Sequence, residues 1–175
     1  MMATTADDIK RLREETSCGV IDCKKALESA GGDFSKAKDL LRKRGLEMAA
    51  KKSDRVAKEG RIEAYIHNGN KIGVVVEVNC ETDFVARNED FCKFSKDVAL
   101  HIAALNPKYT KKEDVPEDVI SKEADKEAFI KANCLLSQPF VKDPGKSIQD
   151  LLNELIAKIG ENIMVGRFIR YKIGE

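Results

Sequence analysis

The stretch from Ile62 to Asn79 decides the fold, and it reads IEAYIHNGNKIGVVVEVN. Apolar residues occupy every second position on both sides of its centre, which is the period of a β-strand. The Asn68-Gly69 pair at the centre is a strong signal for the tight turn of a β-hairpin. The stretch therefore predicts two antiparallel strands, with Gly69 or Asn70 at positive φ.

The length of the turn sets which residues of the two strands face each other. A two-residue loop at Asn68-Gly69 pairs Ile66 with Lys71. A three-residue loop extends the turn to Asn70 and pairs Ile66 with Ile72, so that Ala64 meets Val74 and Ile62 meets Val76. A shift by one residue turns every side chain to the other face of the sheet. We therefore predict the three-residue loop, which places the apolar residues of both strands on one face.

The rest of the second half predicts one more strand and several helices. Alternation from Ile163 to Ile173 predicts a long last strand. Helical spacing predicts a helix capped by Asn88 and ending before Pro107, a second from Pro116 toward Asn133, and a third from Ser147 to Gly160. The predicted fold class is α+β, with a three-stranded antiparallel sheet covered by helices on one face.

The N-terminal part predicts a separate helical module. Three short helices with apolar stripes are separated by Gly19 and by Gly31-Gly32, and the third ends at Gly45. None is long enough to be stable alone, so they must pack together. We predict a three-helix module at residues 1–46, a basic linker at 47–58 and an α+β core domain at 59–175. The linker is interpreted as solvated surface, with phosphate binding as the alternative.

The composition of the chain limits the classes of function that it can have. The 175 residues carry 31 basic and 30 acidic side chains, a net charge of +1, which argues against nucleic acid as the main partner. No apolar run reaches the length of a membrane span, and Met1–Asp8 lacks the pattern of a secretory signal. The five cysteines form no C-x-x-C pair, which favours reduced thiols over disulfides or a zinc site.

The sequence lacks the common motifs of phosphate binding and catalysis. It has no Gly-rich phosphate loop and no G-x-S-x-G element. General base chemistry could rest only on His67, His101 or carboxylates such as Glu81 and Asp83, with no nucleophile predicted nearby. We therefore predict a protein that acts by binding, without catalytic residues, metal ligands or a cofactor. An enzyme using Glu81 and Asp83 is the weaker alternative.

Two stretches resemble the signatures of the elongation factor Ts family. Residues 77–88 read EVNCETDFVARN and residues 12–27 read LREETSCGVIDCKKAL. Shorter matches continue to Arg167-Phe168, so the resemblance covers nearly the whole chain. The chain departs from the family's Thr-Gly-Ala-Gly-Met-Met at residues 16–21, where Val20 and Ile21 replace the methionines. It also resembles the short form of the family, which lacks a second core half and a helical hairpin.

The resemblance implies a partner and a site. Members of the family bind elongation factor Tu carrying GDP and promote GDP release by disturbing the Mg²⁺ and phosphate site. The implied site is Thr82, Asp83, Phe84 and Val85, with Phe84 as a wedge in an apolar pocket of the partner. The alternative is that Phe84 packs under the hairpin and Asp83 caps a helical turn.

The resemblance also implies a second contact region and leaves other functions open. Leu12, Val20 and Ile21 are the candidate partner contacts of the N-terminal module, with burial in the module core as the alternative. The module resembles a ubiquitin-associated-type bundle, a likeness of fold only. The family works in the cytoplasm or in an organelle matrix or stroma. An adaptor without exchange activity is the runner-up, and a homodimer could form through an exposed strand edge.

Overall fold

A computed structural model describes residues 4–16 and 18–175. Outside the described residues lie Ser17 and residues 1–3, which include the start of the Met1–Asp8 stretch. The chain forms two compact units, one of Met1–Arg55 with Asn153–Asn162 and one of Val56–Leu152 with Ile163–Glu175. No helix among the described residues has the length and apolar character to cross a bilayer.

The N-terminal segment of the first unit forms three helices, as the sequence predicts: α1 (Ala6–Thr16), α2 (Val20–Ser29) and α3 (Phe34–Lys52). The side chains of Thr5 and Asp33 accept hydrogen bonds from the first-turn amides of α1 and α3, which satisfies donors that a helix start leaves unpaired. The three apolar stripes meet in one core. Its buried members are Leu12, Cys23, Ala26, Leu27, Ala37 and Leu41.

Helix α3 continues beyond Gly45, where the sequence predicted its end. That prediction was wrong because glycine inside a helix costs only about 1 kcal/mol. The following residues, from Leu46 to Lys52, are mostly strong helix formers. A Cβ added at Gly45 would lie 3.8 Å from the Cβ of Ala157, which is an ordinary van der Waals distance.

The second unit is built on an antiparallel sheet of β1 (Glu59–Ile66), β2 (Ile72–Cys80) and a last strand, β5 (Met164–Lys172), in the order β1-β2-β5. Between β2 and β5 the chain forms α4 (Asp83–Ala86), α5 (Glu89–Leu105), α6 (Glu117–Ile120), α7 (Lys126–Asn133), β3 (Pro139–Phe140), β4 (Asp143–Ser147) and α8 (Ile148–Ile159). Helix α5 packs against β1 and β2. The predicted α+β fold class is thus confirmed.

Capping residues explain where the helices begin. Asn88 accepts hydrogen bonds from Asp90 and Phe91 at the start of α5, and Ser147 accepts one from Asp150 at the start of α8, as predicted. The single helix predicted from Pro116 to Asn133 is wrong, because Asp125 caps a second helix there by accepting from Ala128. The sequence also gave no signal for the β3–β4 hairpin.

The predicted turn conformation is confirmed, but the predicted strand register is wrong. Gly69 and Asn70 both have positive φ, at 84° and 55°. However, Ile66 pairs with Gly73, and the amide of His67 donates to the carbonyl of Ile72, so the loop has four residues rather than three. The extra residue turns β1 over relative to the prediction.

The turned strand places charged and polar residues against the helices. Glu63 is buried on the helix-covered face, where the Nη2 atom of Arg61 lies 2.7 Å from its Oε2 atom. A buried carboxylate needs such a partner, so the pairing makes this register acceptable. The apolar alternation of β1 therefore marks the other face, which the described helices leave uncovered.

We call this uncovered side of the three strands the open sheet face. A bulge in β5, where two residues lie opposite Glu77, brings Arg167 and Ile169 to the same side. The strand register places the other residues of the open sheet face on this same side of β1, β2 and β5. The apolar residues among them are exposed. The apolar residues of the open sheet face are Ile62, Ala64, Ile66, Val75, Met164, Ile169 and Tyr171.

His101 on α5 is a buried hydrogen-bonding centre of the second unit. Its Nε2 atom lies 2.9 Å from Oε1 of Gln138, and the amide of Val141 donates to its Nδ1 atom at 3.2 Å. Because Nδ1 accepts, the ring is neutral and carries its proton on Nε2. Burial lowers the pKa of His101, against the opposing effect of its bond to Gln138.

We expect His101 to make the stability of the protein pH-dependent. Its pKa is lowered on folding, so the unfolded chain takes up the proton first as the pH falls below 6.5. Stability is then lost below pH 6.5, by at most about 1.4 kcal/mol per pH unit for one group. Urea unfolding at pH 7.5, 6.5 and 5.5 measures this. His101→Gln should flatten the dependence and the exposed-site control His67→Gln should not; equal slopes in both variants would contradict the assignment.

Candidate partner-binding site

The segment Thr82-Asp83-Phe84-Val85 forms a capped helical turn. The Oγ1 atom of Thr82 accepts from the amide of Val85 at 3.4 Å, and the carbonyl of Thr82 accepts from Ala86 at 3.2 Å. The amide of Arg87 donates to the carbonyl of Phe84 at 3.3 Å. Threonine suits the cap because its backbone stays extended, at φ −129° and ψ 154°, while its hydroxyl faces the turn.

Side chains from β1, β2 and α5 hold this turn in place. The thiol of Cys80 at the end of β2 donates to the carbonyl of Thr82 at 3.1 Å. The thiol of Cys92 on α5 donates to the carbonyl of Ala86 at 3.7 Å, and Arg61 on β1 contacts the same sulfur at 2.6 Å. Helix α4 is therefore fixed to both strands and to the start of the next helix.

Phe84 is the exposed apex of this turn. Its exposed fraction is 81%, whereas Phe91 is fully buried. The wedge role that the resemblance implies for Phe84 requires a ring more exposed than that of a core phenylalanine, and the structure shows such a ring. The alternative in which Phe84 packs under the hairpin is excluded. A large apolar side chain left in water on an ordered turn is the type of residue that anchors protein interfaces.

Asp83 forms an ion pair with Arg87, one turn further along the chain, with 2.9 Å between Oδ2 and Nη2. Both side chains are largely solvated, at 48% and 78% exposure, so the pair adds little to stability. Its effect is to hold the carboxylate beside Phe84 in one orientation. No pattern in the sequence singled out Arg87, Arg61 or Cys92, because their roles depend on contacts that form only in the fold.

The three residues predicted as partner contacts in the N-terminal unit differ in solvent exposure. Val20 and Ile21 lie at the start of α2 and are 52% and 69% exposed, whereas Leu12 is fully buried. Leu12 therefore belongs to the core of the module, which was the alternative interpretation, and is not available for contact with another protein. The α2 start is held by an ion pair at 2.9 Å between Asp22 and Arg44 of α3.

The described residues contain no cluster of three or more His, Cys, Asp or Glu side chains that could hold a metal ion. Of the two carboxylates considered for catalysis, Asp83 is paired with Arg87 and Glu81 is half-buried. What the segment presents to solvent is an apolar ring beside a fixed carboxylate. This arrangement is suited to binding a protein surface.

Comparisons with known proteins agree over nearly the whole chain. The family model described as "Elongation factor TS" matches residues 8–127 and 126–175. The elongation factor Ts of Thermodesulfovibrio yellowstonii is 50% identical, with 99% of this chain and 98% of that protein covered. The elongation factor Ts of Caldanaerobacter subterraneus is also 50% identical, covering 98% of this chain and 97% of its own length. That of Carboxydothermus hydrogenoformans is 48% identical, with 98% and 89% covered.

Proposed function

The chain belongs to the elongation factor Ts family and is a translation elongation factor, and from this premise we propose that it is a guanine-nucleotide exchange factor for elongation factor Tu. It binds elongation factor Tu carrying GDP and promotes release of the nucleotide. It acts by binding and performs no chemical reaction, and it needs no cofactor, nucleic acid or membrane. We place its activity in the cytoplasm, or in an organelle matrix or stroma if its source is eukaryotic.

Exchange can be achieved by differential binding alone. A GTPase holds its nucleotide through donors around the phosphates and a bridging Mg²⁺. Because Mg²⁺ requires near-ideal octahedral geometry, a small displacement of its ligands weakens the site. A factor that binds the displaced state better shifts the partner toward it, and GDP weakens the factor by the same free energy. An acceleration of 1,000-fold corresponds to about 4 kcal/mol of such preference.

The exposure of Phe84 on a fixed turn is the observation that supports this proposal. We propose that the ring enters an apolar pocket of elongation factor Tu and displaces the element that carries the Mg²⁺ ligands. Asp83, held by Arg87 at 2.9 Å, accepts hydrogen bonds from the partner beside that pocket. Thr82 and Val85 keep the turn in shape. Since the turn is already ordered, little conformational entropy is lost on binding.

The test is a stopped-flow measurement of fluorescent GDP leaving elongation factor Tu in excess unlabelled GDP. The release rate should rise with the concentration of the chain and then saturate. An unchanged rate, in a solution where calorimetry detects the complex, would support the adaptor without exchange activity and contradict the proposal. The absence of any complex would contradict both.

We propose Val20 and Ile21 as a second contact with elongation factor Tu, which contributes affinity rather than displacement. Ile21→Ala should raise the chain concentration that gives half-maximal exchange by about 10-fold, equivalent to about 1.4 kcal/mol, and leave the maximal rate unchanged. A concentration series in the same stopped-flow assay measures both quantities. The matched control is Leu46→Ala, at an exposed leucine elsewhere in the first unit. Identical half-maximal concentrations in the two variants would remove Ile21 from the interface.

A further inference from the structure

Arg61 links the helix-covered face of β1 to the helix that follows the exchange site. Its Nη1 atom lies 2.6 Å from Sγ of Cys92 on α5, and its Nη2 atom lies 2.7 Å from Oε2 of Glu63. The side chain of Arg61 is 31% exposed and that of Glu63 is 11% exposed, so both charges are largely removed from water. Arginine suits this position because its planar fork donates in two fixed directions at once.

Stability alone does not account for a charged group at this position. Apolar residues of similar volume often stabilise a protein as well as a largely buried ion pair does, because they need no desolvation. The Nε atom of Arg61 is also buried, and it has no hydrogen-bond partner in the part of the chain that the structure describes. A buried donor without a partner destabilises the fold. The guanidinium therefore keeps its two Nη contacts at a cost in free energy.

The contact between Arg61 and Cys92 continues to the α4 turn. The thiol of Cys92 donates to the carbonyl of Ala86, the last residue of α4, at 3.7 Å. A thiol is a weak donor, and a charged donor that contacts its sulfur polarises the S–H group and strengthens the bond that it makes. Arg61 thus fastens, through one sulfur atom, the end of the turn that follows Phe84.

We propose that Arg61 is a positioning residue of the exchange site, which sets how far Phe84 can displace the Mg²⁺ ligands of elongation factor Tu. The inference rests on the proposed exchange function. A ring that displaces an element of the partner is itself pushed back by that element. If the α4 turn yields more easily than the partner does, the complex relaxes by deforming the turn, and the preference for the displaced state is lost. The stiffness that Arg61 gives to the turn therefore determines the maximal rate of GDP release.

Reciprocal coupling distinguishes this role from a general effect on folding. The factor and GDP weaken each other's binding to elongation factor Tu by the same free energy. A turn that yields reduces this antagonism, so the affinity for the nucleotide-free partner falls relative to the affinity for the partner carrying GDP. A variant that had only lost folded protein would bind both forms more weakly by the same factor, and its maximal rate would be unchanged.

Arg61→Lys tests the inference, because the single ammonium group of lysine can keep the ion pair with Glu63 but cannot also contact Cys92. In stopped-flow release of fluorescent GDP, this variant should lower the maximal rate about 10-fold without raising the half-maximal concentration. Calorimetry with elongation factor Tu, with and without GDP, should show the ratio of the two affinities falling by the same factor. Thermal unfolding checks that the variant is folded.

The matched control is Arg170→Lys. Arg170 is another largely buried arginine that joins a strand to α5, since its Nε atom donates to the carbonyl of Ala103 at 3.2 Å and its side chain is 9% exposed. Like Arg61, it also forms an ion pair, with Glu175 at 2.9 Å. Its contact lies near the other end of α5, so Arg170→Lys should leave both the maximal rate and the ratio of affinities unchanged.

Cys92→Ala interrupts the same series of contacts at the sulfur atom. It should lower the maximal rate about as much as Arg61→Lys, and the double variant should be no slower than either single variant, because the two residues act through one another. Amide hydrogen exchange of the free protein should be faster at Ala86 and Arg87 in all three variants, since the turn is then held less firmly.

Four results would overturn the positioning role of Arg61. They are a wild-type maximal rate in Arg61→Lys, equal losses of both affinities, rate effects that multiply in the double variant, and hydrogen exchange at α4 that does not change. Each of these results leaves the exchange function standing. A wild-type chain that does not accelerate GDP release would instead refute the exchange function, and this inference with it.

Discussion

Replacing Phe84 with alanine is expected to lower the second-order rate constant for GDP release from elongation factor Tu by about 30- to 1,000-fold. This corresponds to about 2–4 kcal/mol, the usual range for an aromatic anchor at an interface. The fold should be unaffected, because the side chain is 81% exposed and contributes little to any core. Stopped-flow release of fluorescent GDP measures the rate, and thermal unfolding confirms that the variant is folded.

The control for Phe84→Ala is Val56→Ala, which removes another exposed apolar side chain of the same unit. It should leave the rate within about twofold, since isolated surface apolar residues contribute little to binding. Phe84→Leu distinguishes a wedge from a simple apolar contact. If displacement needs the length and flatness of the ring, leucine should retain binding but lose most of the maximal rate. A folded Phe84→Ala variant that accelerates release like the wild type would rule out the wedge.

The hairpin shows how far the sequence could predict the fold. Its strands, its turn and the positive φ of Gly69 all follow from local rules, because strand period and turn chemistry are properties of a few neighbouring residues. The register of the two strands does not follow from such local rules. The prediction assumed that the apolar side of β1 faces the helices, whereas the buried Glu63 and the half-buried Arg61 occupy that side as an ion pair. A pattern of polarity identifies a face but does not say which neighbour will cover it.

The candidate site, like the hairpin, could be predicted from the sequence only in part. Residues 82–85 were identified through the resemblance, and the expected exposure of Phe84 depends on the same resemblance. The contacts that hold the turn could not be predicted. Arg61 reaches Cys92 across 31 positions in the chain, and no local spacing encodes that contact. Leu12 was proposed as a partner contact through the resemblance, together with Val20 and Ile21, and only the packing of the module shows that it is buried.

Gly60→Ala is expected to be the most destabilising single change among the glycines of the described residues. Gly60 has φ +147° and lies opposite Asn79 in the β1–β2 ladder. A Cβ built there would come 2.2 Å from the carbonyl oxygen of Val78 and 2.8 Å from the Cα of Asn79. Both atoms belong to the backbone, so β2 itself must move. Strain and overpacking together predict a loss of about 3 kcal/mol or more, which lowers Tm by about 6–12 °C.

The matched control, Gly69→Ala, separates the steric clash from the cost of positive φ. Gly69 has φ +84°, and a Cβ there meets nothing within 4 Å. It should cost about 1 kcal/mol, or about 2–4 °C in Tm. The effect of alanine on the unfolded chain is the same in both variants and cancels in the comparison. Because Val78 and Asn79 lead directly into the turn that carries Phe84, Gly60→Ala should also slow GDP release at a temperature where it remains folded. Calorimetric Tm values for the two variants that agree within about 2 °C would contradict the clash.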